Sequence, residues 1–198
     1  AEYVEGSPVT AIVREGDRVI GVRSGTETYH AAKVVIAAGA WSGTLSELMR
    51  HEIPIRPARG QLLSLQTRGE LVRHILYGRE VYLVPRASGE VVVGSTVEFV
   101  GFKKHVTAAG IEGLLAAARK LVPALASRPM LQAWAGFRPW TPDELPYLGP
   151  VPGSPGLYIA SGHFRNGILL APVTGQLMAE LLRDEKPSLS LSPFRLGR

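Results

Sequence analysis

The sequence predicts a mixed α/β fold in which an antiparallel sheet with a covering helix is inserted into an α/β body. Both ends of the chain show a strand-like run followed by a helical pattern, whereas the middle shows separate β segments and one helical pattern. Strands followed by helices are typical of α/β layers, and consecutive β segments are typical of an antiparallel sheet. We therefore expect three segments, 1–50, 51–144 and 145–198, of which the first and last belong to one domain.

The N-terminal segment is interpreted as a β-meander that leads into a buried strand. Two β-rich runs, 9–14 and 19–23, are each followed by a turn that contains glycine. The run 34–38 is apolar on both faces and ends at Gly39, as expected of a parallel strand between two layers. A short helix is expected at about 44–50.

The middle segment predicts a sheet and a helix that covers it. Its β segments are 61–66, 80–84, 91–95 and 131–140. The helical pattern begins at Thr107, carries small residues and leucines at helical spacing, and ends at Pro123.

The C-terminal segment contains a connection rich in proline and glycine, a short buried strand at 157–160, and a helix with an unusual beginning. From Gln176 onward the helix is an ordinary amphipathic one. Before that point it opens with the sequence HFRNG, from His163, and carries Pro172 inside its first two turns. Proline is tolerated only near a helix start, where its missing N–H costs little.

This helix start predicts a binding site for a negative group. Asn166 and Gly167 suit a start whose backbone N–H groups stay accessible, and such groups attract anions together with the positive end of the helix dipole. The same residues are also compatible with a plain turn, in which Gly162 redirects the chain, His163 packs and Arg165 extends into solvent.

Arg138 and Tyr82 are two further candidates. Arg138 lies in the stretch WAGFRPW, whose aromatic residues make a charge expensive unless a carboxylate meets it. A solvated arginine is the simpler alternative. Strand alternation places Tyr82 and Val84 on one face and Leu83 on the other. Tyrosine is also a good strand former, so packing alone explains it equally well.

Composition excludes several function classes. The chain has 198 residues, 45% hydrophobic and 20% charged, which is enough for a substantial core. It has no cysteine, so disulfides and thiolate chemistry are excluded. Its net charge is +5, but the basic residues are scattered without interleaved aromatics, which favours small anionic ligands over nucleic acid. No apolar run approaches the roughly 20 residues of a membrane span, and we expect a cytoplasmic protein without a signal peptide.

Known catalytic motifs are also missing. The sequence contains no G-x-S-x-G elbow, no P-loop and no H-E-x-x-H. Its five histidines are dispersed, so no metal site is expected. The neighbouring Asp143 and Glu144 stand beside prolines and are interpreted as a surface turn.

Five stretches resemble the FAD-dependent amino-acid and amine oxidases, in the same order and at similar spacing. They are VVIAAGAWSG, IRPARGQLLSL, YLVPRASGEVVVGSTVE, WAGFRPWTPDELPYLGP and GHFRNGILLAPVTG. The chain is most similar to the glycine oxidase branch of this D-amino-acid oxidase-like family, from about Tyr3 to Glu185. The stretch HFRNGILLAP is a specific signature rather than a generic glycine loop.

The resemblance implies a role for each candidate. Arg138 would hold the substrate carboxylate, Tyr82 would assist it, and Arg165 would border the same pocket. Segments 1–50 and 145–198 would be parts of an FAD-binding domain, and 51–144 would bind the substrate. The implied cofactor-binding residues are Val9 near the adenine, Ala38, Gly39 and Trp41 beside the dinucleotide, and Gly162, His163, Arg165, Asn166, Gly167, Ile168 and Leu169 along the flavin ring.

The implied reaction is the oxidative deamination of glycine or another small amine or amino acid. The substrate loses a hydride from its α-carbon to the flavin, the resulting imine is hydrolysed to an oxo acid and ammonia, and oxygen is reduced to hydrogen peroxide. Carboxylate binding orients the α-carbon, and no protein base is required once the amine is neutral. In many bacteria this reaction feeds thiazole synthesis for thiamine. The expected partners are therefore the substrate and oxygen, with neither nucleic acid nor membrane.

Two features depart from the family pattern. Val97 stands where glycine oxidases often carry methionine, so the apolar wall of the pocket differs. The sequence also lacks the G-x-G-x-x-G motif that cradles the FAD pyrophosphate in a Rossmann unit. We therefore expect the C-terminal part of such an enzyme, which alone binds FAD weakly or not at all and lacks oxidase activity.

Two alternatives stay open. One is a related oxidase or dehydrogenase that acts on sarcosine, another N-methyl amine or a small D-amino acid. The other is a non-catalytic fragment or subunit that assembles with a separate nucleotide-binding chain; a homo-oligomer is compatible with either.

Overall fold

The computed structural model describes residues 2–68 and 71–198. The chain divides into two compact units. The first unit is formed by Ala1–Arg56 together with Arg138–Arg198, and the inserted unit is Pro57–Phe137. The inserted unit lies within the predicted segment 51–144 and is shorter at both ends. Its assignment to the substrate, and that of the first unit to FAD, stay predictions.

Runs of strands are separated by single helices along the chain. The strands are β1 (Ala11–Glu15), β2 (Arg18–Ser24), β3 (Glu27–His30), β4 (Val34–Ile36), β5 (Arg56–Gln66), β6 (Leu76–Tyr77), β7 (Tyr82–Pro85), β8 (Glu90–Gly94), β9 (Met130–Trp140), β10 (Tyr147–Pro150) and β11 (Leu157–Ser161). The α-helices are α1 (Ser46–Met49), α2 (Ala108–Leu121) and α3 (Gly167–Leu182). Turns of 3-10 helix span Gly39–Leu45, Pro123–Ser127 and Ser192–Phe194.

The first unit contains two three-stranded sheets. Strands β1, β2 and β3 pair antiparallel in chain order, which confirms the predicted β-meander. The other sheet has the order β10–β11–β4, with β11 antiparallel to β10 and parallel to β4. The predicted parallel strand is thus confirmed, although β4 ends at Ile36. Its predicted burial on both faces is wrong, because Val35 is 37% exposed whereas Ile36 is buried. The core of the first unit includes Val19, Ile36, Met49, Ile53, Ile55, Tyr147, Val151, Leu157, Ile159 and Leu196.

Two elements of the first unit differ from the prediction. The connection 141–156 contains the strand β10, which occupies the edge of its sheet. An edge strand tolerates proline because one row of its N–H groups is not needed for pairing. The predicted helix 44–50 is reduced to the four residues of α1, because the preceding residues form a 3-10 helix and Arg50 ends the helix with a left-handed φ of 55°.

The inserted unit is a five-stranded sheet covered by α2. The strand order is β6–β7–β8–β5–β9, and the pairs β5–β8 and β7–β8 are antiparallel. The side chain of Thr107 caps α2 by accepting a hydrogen bond from the N–H of Gly110 at 3.2 Å, and the helix stops before Pro123, as predicted. The core between sheet and helix includes Leu63, Leu65, Leu83, Val91, Val93, Leu114, Ala118 and Leu125. The fold is therefore mixed α/β with antiparallel sheets, as expected.

A polar cluster, formed by the buried Arg59 and Gln61 with the half-buried Glu98 and Thr107, connects distant parts of the inserted unit. The Arg59 guanidinium pairs with Glu98 and donates to the carbonyls of residues 103 and 105. Gln61 donates to Glu98 at 2.7 Å and accepts from the backbone N–H of Thr107 at 2.7 Å. Burial alone would raise the pKa of Glu98, but the hydrogen bonds it accepts lower it below its ordinary value. The carboxylate is therefore charged.

Candidate functional site

The turn between β11 and α3 is the centre of the candidate site. Gly162 has a φ of 87° and Phe164 a φ of 47°, so two residues of this short turn take left-handed conformations. A Cβ on Gly162 would lie 2.7 Å from Cγ2 of Thr141. Only glycine fits there, and a left-handed phenylalanine is a strained conformation that packing must maintain.

The turn is fixed to the end of β9, next to Arg138. The backbone N–H of Phe164 donates to the carbonyl of Pro139 at 3.0 Å. Arg138 immediately precedes Pro139 and is half-buried. Arg165 is exposed, with its guanidinium carbon 5.3 Å from the ring centroid of the buried Phe164. The structure thus brings Arg138 and Arg165 to the same turn.

A chain of serine hydroxyls connects the turn to the segment after β4. The buried Ser42 donates to the hydroxyl of Ser161 at 2.8 Å, and Ser161 donates to the carbonyl of Gly39 at 3.1 Å. Gly39 has a φ of 54° and open space where a Cβ would be. Trp41 is 53% exposed. The predicted dinucleotide segment, Ala38 to Trp41, therefore lies beside the turn.

The start of α3 presents free main chain and exposed apolar side chains. The N–H of Leu170 makes the first bond of the helix, to the carbonyl of Asn166 at 2.9 Å. The N–H groups of residues 167–169 precede that bond and have no carbonyl within the helix. Within the described part of the chain, the side chain of Asn166 does not cap the helix. Ile168 is 95% exposed and Leu169 is 78% exposed.

These features suit a flat ring that takes up negative charge. The N–H groups and the positive end of a helix dipole stabilise negative charge, and the exposed side chains supply apolar contact. Pro172 stands inside α3, in its second turn, rather than at its first position, so its missing N–H removes the helical bond to the carbonyl of Ile168.

His163 turns away from this surface. Its Nε2 atom lies 2.9 Å from the hydroxyl of Thr174, which stands about two turns along α3. Burial lowers the pKa of His163 below its ordinary value, so the ring is neutral near pH 7.

Comparison with known proteins agrees with this geometry. Residues 1–181 match the family described as FAD dependent oxidoreductase. The chain belongs to this family. It is 38% identical to a glycine oxidase of Pseudomonas aeruginosa over 193 residues, which is 98% of this chain and 53% of that protein. It is also 38% identical to the hydrogen cyanide synthase subunit HcnC of the same organism, covering 100% of this chain and 48% of that protein.

A solved structure supports the same relationship. The glycine oxidase of Geobacillus kaustophilus superposes with a TM-score of 0.91 at 33% identity, over 97% of this chain and 52% of that one. The chain therefore spans about half the length of the relatives it matches. The mixed α/β fold with antiparallel sheets is that of the glycine oxidase structure.

Tyr82 belongs to the inserted unit. Val81 and Leu83 are buried whereas Tyr82 and Val84 are half-buried, which confirms the predicted alternation. The Tyr82 ring lies on Gly94, where a Cβ would come within 2.6 Å of the phenol oxygen. It also stacks on Tyr77 with ring centroids 6.1 Å apart. The phenol is held in place, and its role beside Arg138 stays a prediction.

Val9 stands before β1 and is 41% exposed, and its place near an adenine stays a prediction too. Among residues 2–68 and 71–198, no group of three or more histidine, aspartate or glutamate side chains is arranged to hold a metal ion. In the same ranges no helix has the length and hydrophobicity needed to cross a membrane.

Two parts of the site were not recognisable in the sequence. The Ser42–Ser161 pair joins residues more than a hundred positions apart, and no local pattern signals it. Asp143 forms more than a surface turn, because it accepts two hydrogen bonds from Arg198, at 2.7 and 2.8 Å. Arg198 also stacks over the Tyr147 ring, 4.2 Å from its centroid, and so connects the end of the chain to the residues that follow β9.

Proposed function

We propose that this chain supplies the substrate side and part of the cofactor site of a glycine oxidase-type flavoprotein. The reaction would be the oxidative deamination of glycine or a similar small amine or amino acid. One observation carries the proposal. The backbone N–H of Phe164, just before the start of α3, donates to the carbonyl of Pro139, so the helix start that we propose for a flat redox ring lies beside the backbone of Arg138, whose guanidinium we propose for the carboxylate.

The residues present fit FAD. Gly39 leaves open space beside the serine chain, Trp41 offers an exposed aromatic face, and residues 167–169 offer N–H groups that precede the first bond of α3. When bound, FAD supplies the two-electron oxidation of the substrate and passes the electrons to oxygen, which yields hydrogen peroxide. The N–H groups at the helix start would stabilise negative charge at the pyrimidine end of the ring.

The chain's own side chains bind and orient the substrate. Arg138 would form charge-assisted hydrogen bonds with the carboxylate, and the Tyr82 phenol would donate another. This anchoring presents the α-carbon in one orientation. The neutral His163 is engaged with Thr174, which leaves proton release to the substrate amine and solvent.

The sequence contains no G-x-G-x-x-G, so we propose that the pyrophosphate is held by residues outside it. The 198-residue chain alone would then bind FAD weakly and release no peroxide from glycine. A yellow preparation with stoichiometric FAD and peroxide release would contradict this proposal.

A joined polypeptide tests the function directly. The N-terminal half of the Pseudomonas aeruginosa glycine oxidase is placed before this chain, and peroxide release is measured with glycine, sarcosine and D-alanine. We expect peroxide with at least one of the three, because each carries the carboxylate that Arg138 would bind. A folded, flavin-loaded enzyme that oxidises none of them would contradict the proposal.

A second candidate is a subunit or dehydrogenase that passes electrons to a carrier. The equal identity to the HcnC subunit favours keeping the subunit alternative, since identity alone does not separate the two relatives. The same panel repeated with an artificial electron acceptor distinguishes them. Turnover with the acceptor and none with oxygen would identify the dehydrogenase. A place in thiazole synthesis for thiamine follows only if glycine is the preferred substrate.

A further inference from the structure

The inserted unit contains a second pocket that the proposed oxidase function does not use. It has a volume of about 490 Å³ and lies against one face of α2. Ile111, Leu115 and Ala118 line it from the helix, at spacings that place them on the same face. Leu65 of β5 and Met130 of β9 line it from the sheet. Its size is that of a small-molecule site, and its floor is apolar.

Charged groups stand at the rim of this apolar pocket. Arg119 and Arg128 lie at the end where α2 finishes, and Glu112 lies two turns earlier on the helix, about 10 Å away along its axis. The pocket therefore has one cationic end and one acidic side. An anion would be drawn to the arginines and repelled at Glu112, which fixes the direction of an elongated ligand.

The backbone around Arg128 is fixed by hydrogen bonds, and part of its guanidinium is buried. Its backbone N–H donates to the carbonyl of Leu125 at 3.1 Å, and the following Pro129 accepts from Gln66 at 3.0 Å. Its Nε atom is buried and has no hydrogen-bond partner within residues 2–68 and 71–198. A guanidinium that has lost part of its hydration without gaining an acceptor gains most from an anion at its remaining N–H groups.

We propose that this pocket binds an amphipathic carboxylate, a molecule with an apolar chain and one terminal anionic group. The chain lies against Ile111, Leu115 and Met130, and the carboxylate lies on Arg128 and Arg119. The inference is independent of the oxidase function, because every lining residue belongs to the inserted unit.

Calorimetric titration of the 198-residue chain tests the proposal, with octanoate as the probe. Octan-1-ol has the chain without the charge, and acetate has the charge without the chain. We expect saturable one-to-one binding of octanoate, about tenfold tighter than octan-1-ol, as one charge-assisted contact would give. We expect no measurable binding of acetate.

Substitutions locate the site. Arg128→Gln should weaken octanoate about tenfold and leave octan-1-ol unchanged, since only the charged contact is lost. Arg119→Gln is an exposed change that cannot affect the core, and it should weaken octanoate by a smaller factor. The matched control is Arg86→Gln, at an exposed position outside the pocket, which should have no effect.

Several results would overturn the proposal. Failure of octanoate to saturate would do so, as would binding of acetate as tight as that of octanoate. Equal octanoate affinity in wild type, Arg119→Gln and Arg128→Gln would place the ligand elsewhere. Thermal unfolding of Arg128→Gln shows whether its fold is intact; if it is not, Arg119→Gln alone decides.

Discussion

The two units differ in which of their polar and apolar groups are buried and which are exposed. In the inserted unit, Arg59 and Gln61 both hydrogen-bond to Glu98, and the core leucines Leu63, Leu65 and Leu83 are buried. In the first unit, the start of α3 keeps main-chain N–H groups uncapped and exposes Ile168 and Leu169 almost fully. Buried polar groups that satisfy one another define a shape. An exposed apolar surface with accessible donors is suited to contact with another molecule.

The largest contrast is expected between equivalent apolar truncations in the two units. Leu83→Ala removes a fully buried side chain from the inserted core and should lower the free energy of unfolding by about 2 to 5 kcal/mol. Ile168→Ala removes a side chain that is 95% exposed and should change the free energy of unfolding by less than about 0.5 kcal/mol. Urea unfolding followed by circular dichroism measures both. Equal destabilisation would mean that Ile168 is packed and would remove the contrast.

Two glycines of the first unit provide a smaller test. Gly162→Ala should destabilise by about 1 to 3 kcal/mol, because φ is 87° and the new Cβ would meet Thr141 at 2.7 Å. Gly175→Ala lies inside α3 with no atom within 4 Å and should stabilise by about 0.5 to 1 kcal/mol. Thermal unfolding of the two variants should therefore shift in opposite directions. A tolerated Gly162→Ala would show that the turn is not constrained as described.

The smallest effect concerns pH and the pair between Asp143 and Arg198. Hydrogen bonds from Arg198 lower the pKa of Asp143 from 3.8 to about 2. A lowered folded-state pKa contributes stability above the unfolded value, and that stability is lost as pH falls from 3.8 toward 2. Because the carboxylate is partly exposed, Asp143→Asn should cost at most about 1 kcal/mol at pH 7.

The pH series supplies its own control. The cost of Asp143→Asn should shrink as the pH is lowered through this window, because the wild-type carboxyl becomes protonated. Asp17→Asn, whose pair with Arg50 is exposed and 3.8 Å long, should have no measurable effect at any pH. A cost of Asp143→Asn that is constant from pH 7 to pH 2 would contradict the assigned ion pair.

The sequence predicted the elements whose patterns are local. The β-meander, the parallel strand β4, the helix from Thr107 and the strand around Arg138 all follow from periodicity and turn residues read within a few positions. The strand β10 was not predicted. A strand that begins after one proline and ends on another is possible only at the edge of a sheet, and a local sequence pattern does not show which strand lies at an edge.

The site divides in the same manner. The accessible helix start at Asn166 and Gly167 was predictable, because small residues before a helix indicate it. The hydrogen bonds that join Ser42 and Gly39 to Ser161, and the ion pair between Arg198 and Asp143, connect residues far apart in sequence. No local pattern contains them. The left-handed φ of Phe164 was equally invisible, because packing rather than residue type imposes it.

Steady-state kinetics of Arg138→Ala in the joined, flavin-loaded enzyme tests the central claim most directly. If Arg138 binds the substrate carboxylate, kcat/KM should fall about 100-fold for the preferred substrate, as expected when a charged hydrogen-bonding partner is lost. The flavin spectrum should be retained, and the exposed control Arg86→Gln should match the parent enzyme. A kcat/KM for Arg138→Ala within a factor of about two of the parent would contradict the account.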